Sequence, residues 1–201
     1  MKPQKVLILA SSSRYRQALL QRLGLSFEVR VPNVDETACP GEGAAALASR
    51  LAAAKAAAVA AAGALVIGSD QAPDLDGQIL RKPGNKATAI EQLLACRGKS
   101  VLFHTAVHLL DTTSGQHWSH TDRTEIQFLD LPEAAIERYV EVENPIDSAG
   151  GFKAEGLGIT LFREMRTEDP TALIGLPLIA LSRLLRTAGI EPLSPSGTTA
   201  S

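Results

Sequence analysis

Residues Val6–Arg16 read VLILASSSRYR. An unbroken apolar run, Val6–Ala10, suits a strand buried on both faces, and the serines that follow form a natural helix cap. A strand, a serine loop and a helix therefore open the fold. In the predicted helix Arg14–Leu23, Tyr15, Ala18, Leu19 and Leu23 recur at helical spacing, and Gly24 supplies the stop. At such a junction free backbone N–H groups, the helix dipole and the hydroxyls of Ser11, Ser12 and Ser13 can converge on an anion, with Arg14 and Arg16 adding charge. Ordinary N-capping beside solvated arginines accounts for the same residues equally well.

Working outward, Ser26–Val31 alternates like a second strand, Pro32–Gly43 is a polar loop, and Ala44–Ala62 is an alanine-rich helix ended by Gly63. Leu65–Ser69 reads as a further buried strand whose end delivers Asp70. Asp76-Gly77 marks a hairpin within Leu75–Leu80, and Lys86–Ala95 is a short amphipathic helix. Ser100–Asp111 and His117–Phe128 read as long antiparallel strands turning at Thr113–Gly115. Pro132 opens a helix to about Glu143, Asp147–Gly158 is glycine-rich, Ile159–Phe162 is strand-like, and Leu176–Ala188 closes the fold as a helix. Helices interleaved with parallel-type strands, plus a central antiparallel hairpin, predict an α/β fold: a mixed, twisted sheet flanked by helices, in two lobes with a central cleft. One domain is expected over 1–190. The Pro, Ser, Gly and Thr composition of 191–201 predicts a disordered tail.

The 201 residues carry a formal charge of −2 and a pI near 6.1, without the basic excess or the aromatics of a nucleic-acid surface. Any anionic substrate must meet positive charge that is local. Cys39 and Cys96 stand far apart in neither CxxC nor His-paired spacing, which points to a reducing compartment, the cytoplasm. Val6–Ala10 is too short for a signal-peptide core and runs into Arg14 and Arg16, and Ala44–Ala62 is interrupted by Ser49, Arg50 and Lys55, so neither export nor a membrane span is expected.

Asp70, at the carboxyl end of a predicted central strand, stands where ligands bind in open α/β sheets and could hold a metal, accept a proton or cap a turn. Lys55, Lys82 and Lys153 are candidate phosphate cations. In DSAGGFKAEGLG, Asp147–Gly158, Lys153 and Glu155 share a face if the segment is extended. Gly98-Lys99-Ser100 imitates the end of a phosphate-binding loop, but Leu93 stands where its first glycine belongs. His104, His108, His117 and His120 lack metal-ligand spacing and read as exposed strand residues.

Taken in order, LILASSSRYR at Leu7–Arg16, VDET at Val34–Thr37, IGSDQ at Ile67–Gln71, Lys82-Pro83, DSAGGFKAEG at Asp147–Gly156 and IGLPL at Ile174–Leu178 resemble the Maf family of nucleotide pyrophosphatases. The resemblance implies a two-lobed fold related to inosine triphosphatases, a homodimer, and a divalent cation, Mg²⁺ or Mn²⁺. It implies that Asp70 is the catalytic proton acceptor, that Glu36 or Asp70 ligates the metal with the substrate phosphates, and that Ser11, Ser13, Arg16, Lys55 and Lys82 hold the triphosphate. Tyr15, Gln71, Lys153 and Glu155 complete the expected substrate site. Ser69–Gln71, Tyr15 and Gly151–Phe162 resemble the branch that hydrolyses 7-methyl-GTP, with dTTP or UTP hydrolysis, or a non-catalytic regulator of cell division, as alternatives. Arg14 and Arg81 depart from the family pattern, which commonly has proline and glycine there.

Overall fold

The computed structural model describes residues 5–194. Seven strands form one mixed sheet in the order β2-β1-β3-β5-β6-β7, with β4 paired to β3 alone. Strand β1 (Val6–Ala10) is followed by α1 (Arg14–Gln21), β2 (Glu28–Arg30) and α2 (Ala44–Ala58), and then by β3 (Ala64–Leu75), β4 (Gln78–Ile79) and α3 (Lys86–Cys96). The chain continues through β5 (Ser100–Asp111), β6 (His117–Phe128), α4 (Glu133–Glu143), β7 (Phe162–Arg166) and α5 (Leu178–Thr187). Strands β1, β2 and β3 are parallel, whereas β3, β5, β6 and β7 run antiparallel in turn. The mixed sheet flanked by helices agrees with the sequence reading.

Strand length produces the two lobes. Each of β3, β5 and β6 is 12 residues long. One stretch of these strands, with Leu65, Ile67, Val107 and Leu109, packs with Leu19 and Leu20 of α1 and Leu181 and Leu185 of α5. The other, with Val101, Phe103, Ile126 and Phe128, packs with Leu93 of α3 and Ile136 and Val140 of α4. The opposite face of the first stretch is covered by α2, whose Ala48, Leu51 and Ala52 meet Ala72 and Ala106. Small residues let that helix lie close. A Cβ at Gly68 would overlap the Ala52 carbonyl oxygen and come within 2.8 Å of the Ala56 nitrogen, so only glycine fits at the crossing.

Strand β3 is longer than expected. The polar Ser69-Asp70-Gln71 and Pro73 suggested an end at Ser69, yet the ladder with β5 continues unbroken from Leu65↔Asp111 to Asp74↔Leu102. The pairing of β3 with β1 stops at Ala10↔Gly68. From Ser69 onward that side of β3 is an edge until β4 begins opposite Asp74, which admits both polar side chains and proline. Asp70 thus lies in mid-strand, at the point where the sheet opens.

Elsewhere Ile159–Phe162 is not a strand. Leu157–Leu161 makes 3-10 turns and the strand begins at Phe162, because the glycines wind the segment instead of extending it. Of the expected tail, 195–201 lies outside the described residues. The part that is described makes a turn, with Ser194 N donating to Glu191 O and Glu191 paired to Arg186 at 2.9 Å. No helix among the described residues is long and apolar enough to cross a membrane.

Candidate active site

A cleft of about 740 Å³ opens between the lobes, bounded by the serine loop and α1, the 32–37 loop, the middle of β3, residues 79–82, the 147–155 segment and the 173–175 turn. At its floor is a three-membered charge cluster. The Lys55 ammonium is 2.6 Å from Asp70 Oδ1 and 2.6 Å from Glu36 Oε1. Lys55 is 6% exposed and Asp70 8%, whereas the Glu36 side chain is 51% exposed. The strand alternation that places Val66, Gly68 and Ala72 against α2 also turns Asp70 toward that helix, where Lys55 is the buried cation. Close packing at Gly68 therefore sets the distance between the lysine and the carboxylate.

Burial pushes the Asp70 carboxyl above its ordinary range, against the pull of Lys55 and Arg16. Burial acts on Glu36 in the same sense, but the hydrogen bond and charge of Lys55, with Lys82 and Arg16, outweigh it and hold Glu36 below its ordinary range. The two carboxylates share one lysine and are driven apart, an arrangement in which one group can take a proton while the other stays ionised.

The serine loop supplies both capping and cavity surface. Ser13 is the N-cap of α1, its Oγ accepting from Arg16 N at 3.4 Å, and Ser11 Oγ accepts from Ser13 N at 3.0 Å. Arg16 reaches across to donate from Nε to Gly175 O at 2.8 Å. Gly175 takes φ 122, where a side chain would be strained. Ser69 and Gln71 face away from α2. Ser69 Oγ lies 2.9 Å from Gly175 O, and Gln71 Nε2 donates to Thr105 Oγ1, Ala172 O and Leu173 O at 2.9–3.0 Å. The Gln71 amide nitrogen is thus committed to the 172–175 turn, which leaves its oxygen for the cleft. Tyr15, Lys82 and Glu155 all line the cleft, Lys82 from an exposed position.

Lys153 is placed differently. It does not line the cleft. Its ammonium approaches Glu143 O and Asn144 O at 3.4 and 3.2 Å, at the C-terminus of α4, and Asp147 at 3.4 Å. Because the chain turns over 153–156, with Gly156 N donating to Lys153 O, Lys153 and Glu155 do not share an extended face.

Several supporting residues were not singled out in the sequence. Arg50 clamps Glu42 with two contacts of 2.7 Å and donates to Thr37 O at 3.0 Å, tying down the loop that carries Glu36. The Glu42 carboxyl is pulled down to about 2, chiefly by its hydrogen bond with Arg50. Asp169 accepts from Thr171 N and Ile179 N, and Thr171 Oγ1 accepts from Leu178 N, which fixes the 172–175 turn at the start of α5. The Asp-Pro-Thr run at 169–171 is the signal for such a turn.

The model of the family described as Maf-like protein matches residues 6–188. A 7-methyl-GTP pyrophosphatase of Xanthomonas oryzae pv. oryzae (strain MAFF 311018) is 58% identical over 187 residues, covering 92% of this chain and 97% of the relative. A 7-methyl-GTP pyrophosphatase of Bordetella avium (strain 197N) is 55% identical over 194 residues, covering 94% and 97%. Among solved structures, a HAM1 protein from Coxiella burnetii aligns with a TM-score of 0.44 at 17% identity, over 64% of this chain and 75% of that one. On the match of the family model from the first strand to the last helix, and on relatives more than half identical along that length, the chain belongs to the Maf-like protein family.

Proposed function

We propose that the chain is a nucleotide pyrophosphatase that hydrolyses 7-methyl-GTP to 7-methyl-GMP and pyrophosphate in the cleft around Asp70, with a divalent cation. The observation that carries this reading is the buried Lys55 ammonium held between Asp70 and Glu36 at the floor of a cleft whose walls bear Arg16, Lys82 and Tyr15. That two relatives more than half identical are 7-methyl-GTP pyrophosphatases supports the substrate.

In this reading Asp70 orients a water molecule and accepts its proton, a task suited to a carboxyl that burial raises above its ordinary range. Water oxygen bonds to the α-phosphorus while the bond from that phosphorus to the bridging oxygen breaks, and pyrophosphate leaves. Lys55, Arg16 and Lys82 supply positive charge to the phosphates, and the serine loop at the start of α1 offers N–H groups and hydroxyls to the same anion. Gln71 Oε1, Glu155 and the Tyr15 ring read the base in this proposal; all three residues line the cleft.

The donor set fits Mg²⁺ or Mn²⁺. Asp70 Oδ2 and Glu36 Oε2 make no hydrogen bond among the described residues. No group of three or more potential metal-binding His, Cys, Asp or Glu side chains stands among those residues, so water and phosphate oxygens would complete the shell, as hard cations accept. Bound there, such an ion would neutralise charge on the triphosphate and its leaving group. A homodimer in the cytoplasm is part of the same proposal.

The test is a panel of 7-methyl-GTP, GTP, UTP and dTTP with Mg²⁺, using the parent, Tyr15→Ala and Tyr15→Trp. A cationic base over an aromatic face gains roughly 0.5–2 kcal/mol over the neutral base. The 7-methyl-GTP to GTP ratio of kcat/KM should therefore exceed one, shrink in Tyr15→Ala and hold in Tyr15→Trp. A parent that favours UTP or dTTP would overturn the substrate but not the reaction.

A further inference from the structure

We propose that Arg14 is a specificity-determining residue of this cleft, engaging the aromatic ring that a positively charged base would use, and so restraining the preference for that base over its neutral counterpart. The inference rests on the nucleotide-site reading above. Arg14 is the first residue of α1, exposed, and lines the cleft. Its Cζ lies 5.2 Å from the centroid of the Tyr15 ring, within cation–π range, and its Nη2 donates to Tyr15 Oη at 3.3 Å. One side chain thus holds both the ring and the hydroxyl of the only aromatic residue that α1 brings to the cleft.

Asp147 and Glu155 line the same cleft as Arg14. Asp147 has a cation beside it, Lys153 at 3.4 Å. A guanine methylated at N7 is itself a planar, delocalised cation. Guanidinium and base therefore compete for the same ring electrons, and they repel each other when both are present. A neutral base meets no such repulsion. The net effect of Arg14 is a selective cost on the cationic substrate.

The local backbone allows a clean test. Arg14 is at the first helical position, where the N–H has no acceptor within the helix and proline is well tolerated. Ser13 before it has φ −73 and ψ 117, the extended conformation that a following proline requires. Arg14→Ala and Arg14→Pro are both expected to fold, with melting temperatures near the parent's. For the parent and both variants, kcat/KM is measured for 7-methyl-GTP and for GTP at one Mg²⁺ concentration. The ratio should rise in both variants by roughly two- to thirtyfold, the span of a cation–π contact, mainly through a lower KM for 7-methyl-GTP. An unchanged or smaller ratio overturns the proposal, and so does an equal fall for both substrates, which would put Arg14 on the phosphates. A parent that hydrolyses neither substrate overturns the nucleotide-site reading, and this proposal with it; a parent that hydrolyses both, with the ratio unmoved in the variants, overturns this proposal alone.

Discussion

Lys55→Met keeps an unbranched stem of similar length but removes the ammonium that lies 2.6 Å from each of two carboxylates. Asp70, 8% exposed, is then left buried without its nearest counterion. Breaking a buried pair from one side costs about 3–5 kcal/mol. The Glu36 contact adds little to this, because its side chain is half exposed and screened by solvent. At about 2–4 °C per kcal/mol for a chain of this size, Tm should fall by roughly 6–20 °C at neutral pH. The pH dependence is the sharper signature. Asp70 has its folded pKa raised, so the folded state already favours its protonated form, and losing Lys55 strengthens that bias. Glu36 has its folded pKa lowered, so its contribution is present above the ordinary carboxylate range and is lost as pH falls; without Lys55 it loses its main source. Both effects make the variant's deficit largest at neutral pH and smaller as the pH drops into the carboxylate range. Thermal melts of parent and variant from pH 8 to pH 5 in dilute buffer measure it. A deficit that is the same at every pH, or no deficit, would refute the idea that Lys55 compensates a buried charge.

Gly68→Ala forces a methyl into the Ala52 carbonyl and should cost about 3 kcal/mol or more, with activity falling as α2 carries Lys55 away from Asp70; a parent-like melting curve would show that the crossing is looser than described. Lys153→Met, by contrast, removes a cation from the C-terminus of α4 and should lower stability by about 0.3–1 kcal/mol. Its kcat/KM should stay near the parent's, and a large loss of activity with unchanged stability would return Lys153 to the substrate. Arg16→Ala removes the contact to Gly175 O and a proposed phosphate cation, at about 1.5–3 kcal/mol, or roughly ten- to a hundredfold in kcat/KM. Parent-like hydrolysis by that variant would take the cation off the phosphates.

The elements with a clear apolar pattern are legible in the sequence: β1, β5 and β6 with their observed bounds, and α4 with its observed end. What could not be read was the continuation of β3 through Ser69-Asp70-Gln71 and Pro73. Apolar alternation fails there because the strand faces a cleft instead of a core, and only the partner strand β5 reveals the unbroken ladder. The same blindness hid the division of labour around Asp70. Alternation alone puts Asp70 and Gln71 on opposite faces, but it took the crossing of α2 at Gly68 to show which face holds Lys55. Lys153 is the reverse case, a lysine in a suggestive glycine-rich run that turns at 153–156 and brings it to helix carbonyls. Anchors such as Arg50 and Thr105 act through contacts distant in sequence or through main-chain acceptors, which leave no spacing to read.

The central claim is that Asp70 serves the hydrolysis of a triphosphate between its α and β phosphorus atoms. Parent and Asp70→Asn are incubated with 7-methyl-GTP and Mg²⁺, and the products are separated and quantified. The parent is expected to give 7-methyl-GMP and pyrophosphate in equal amounts, and the variant, which keeps the size and loses the charge, to turn over roughly 10²–10⁴-fold more slowly. A diphosphate with free phosphate as products, or an Asp70→Asn variant with the parent's kcat, would contradict the account.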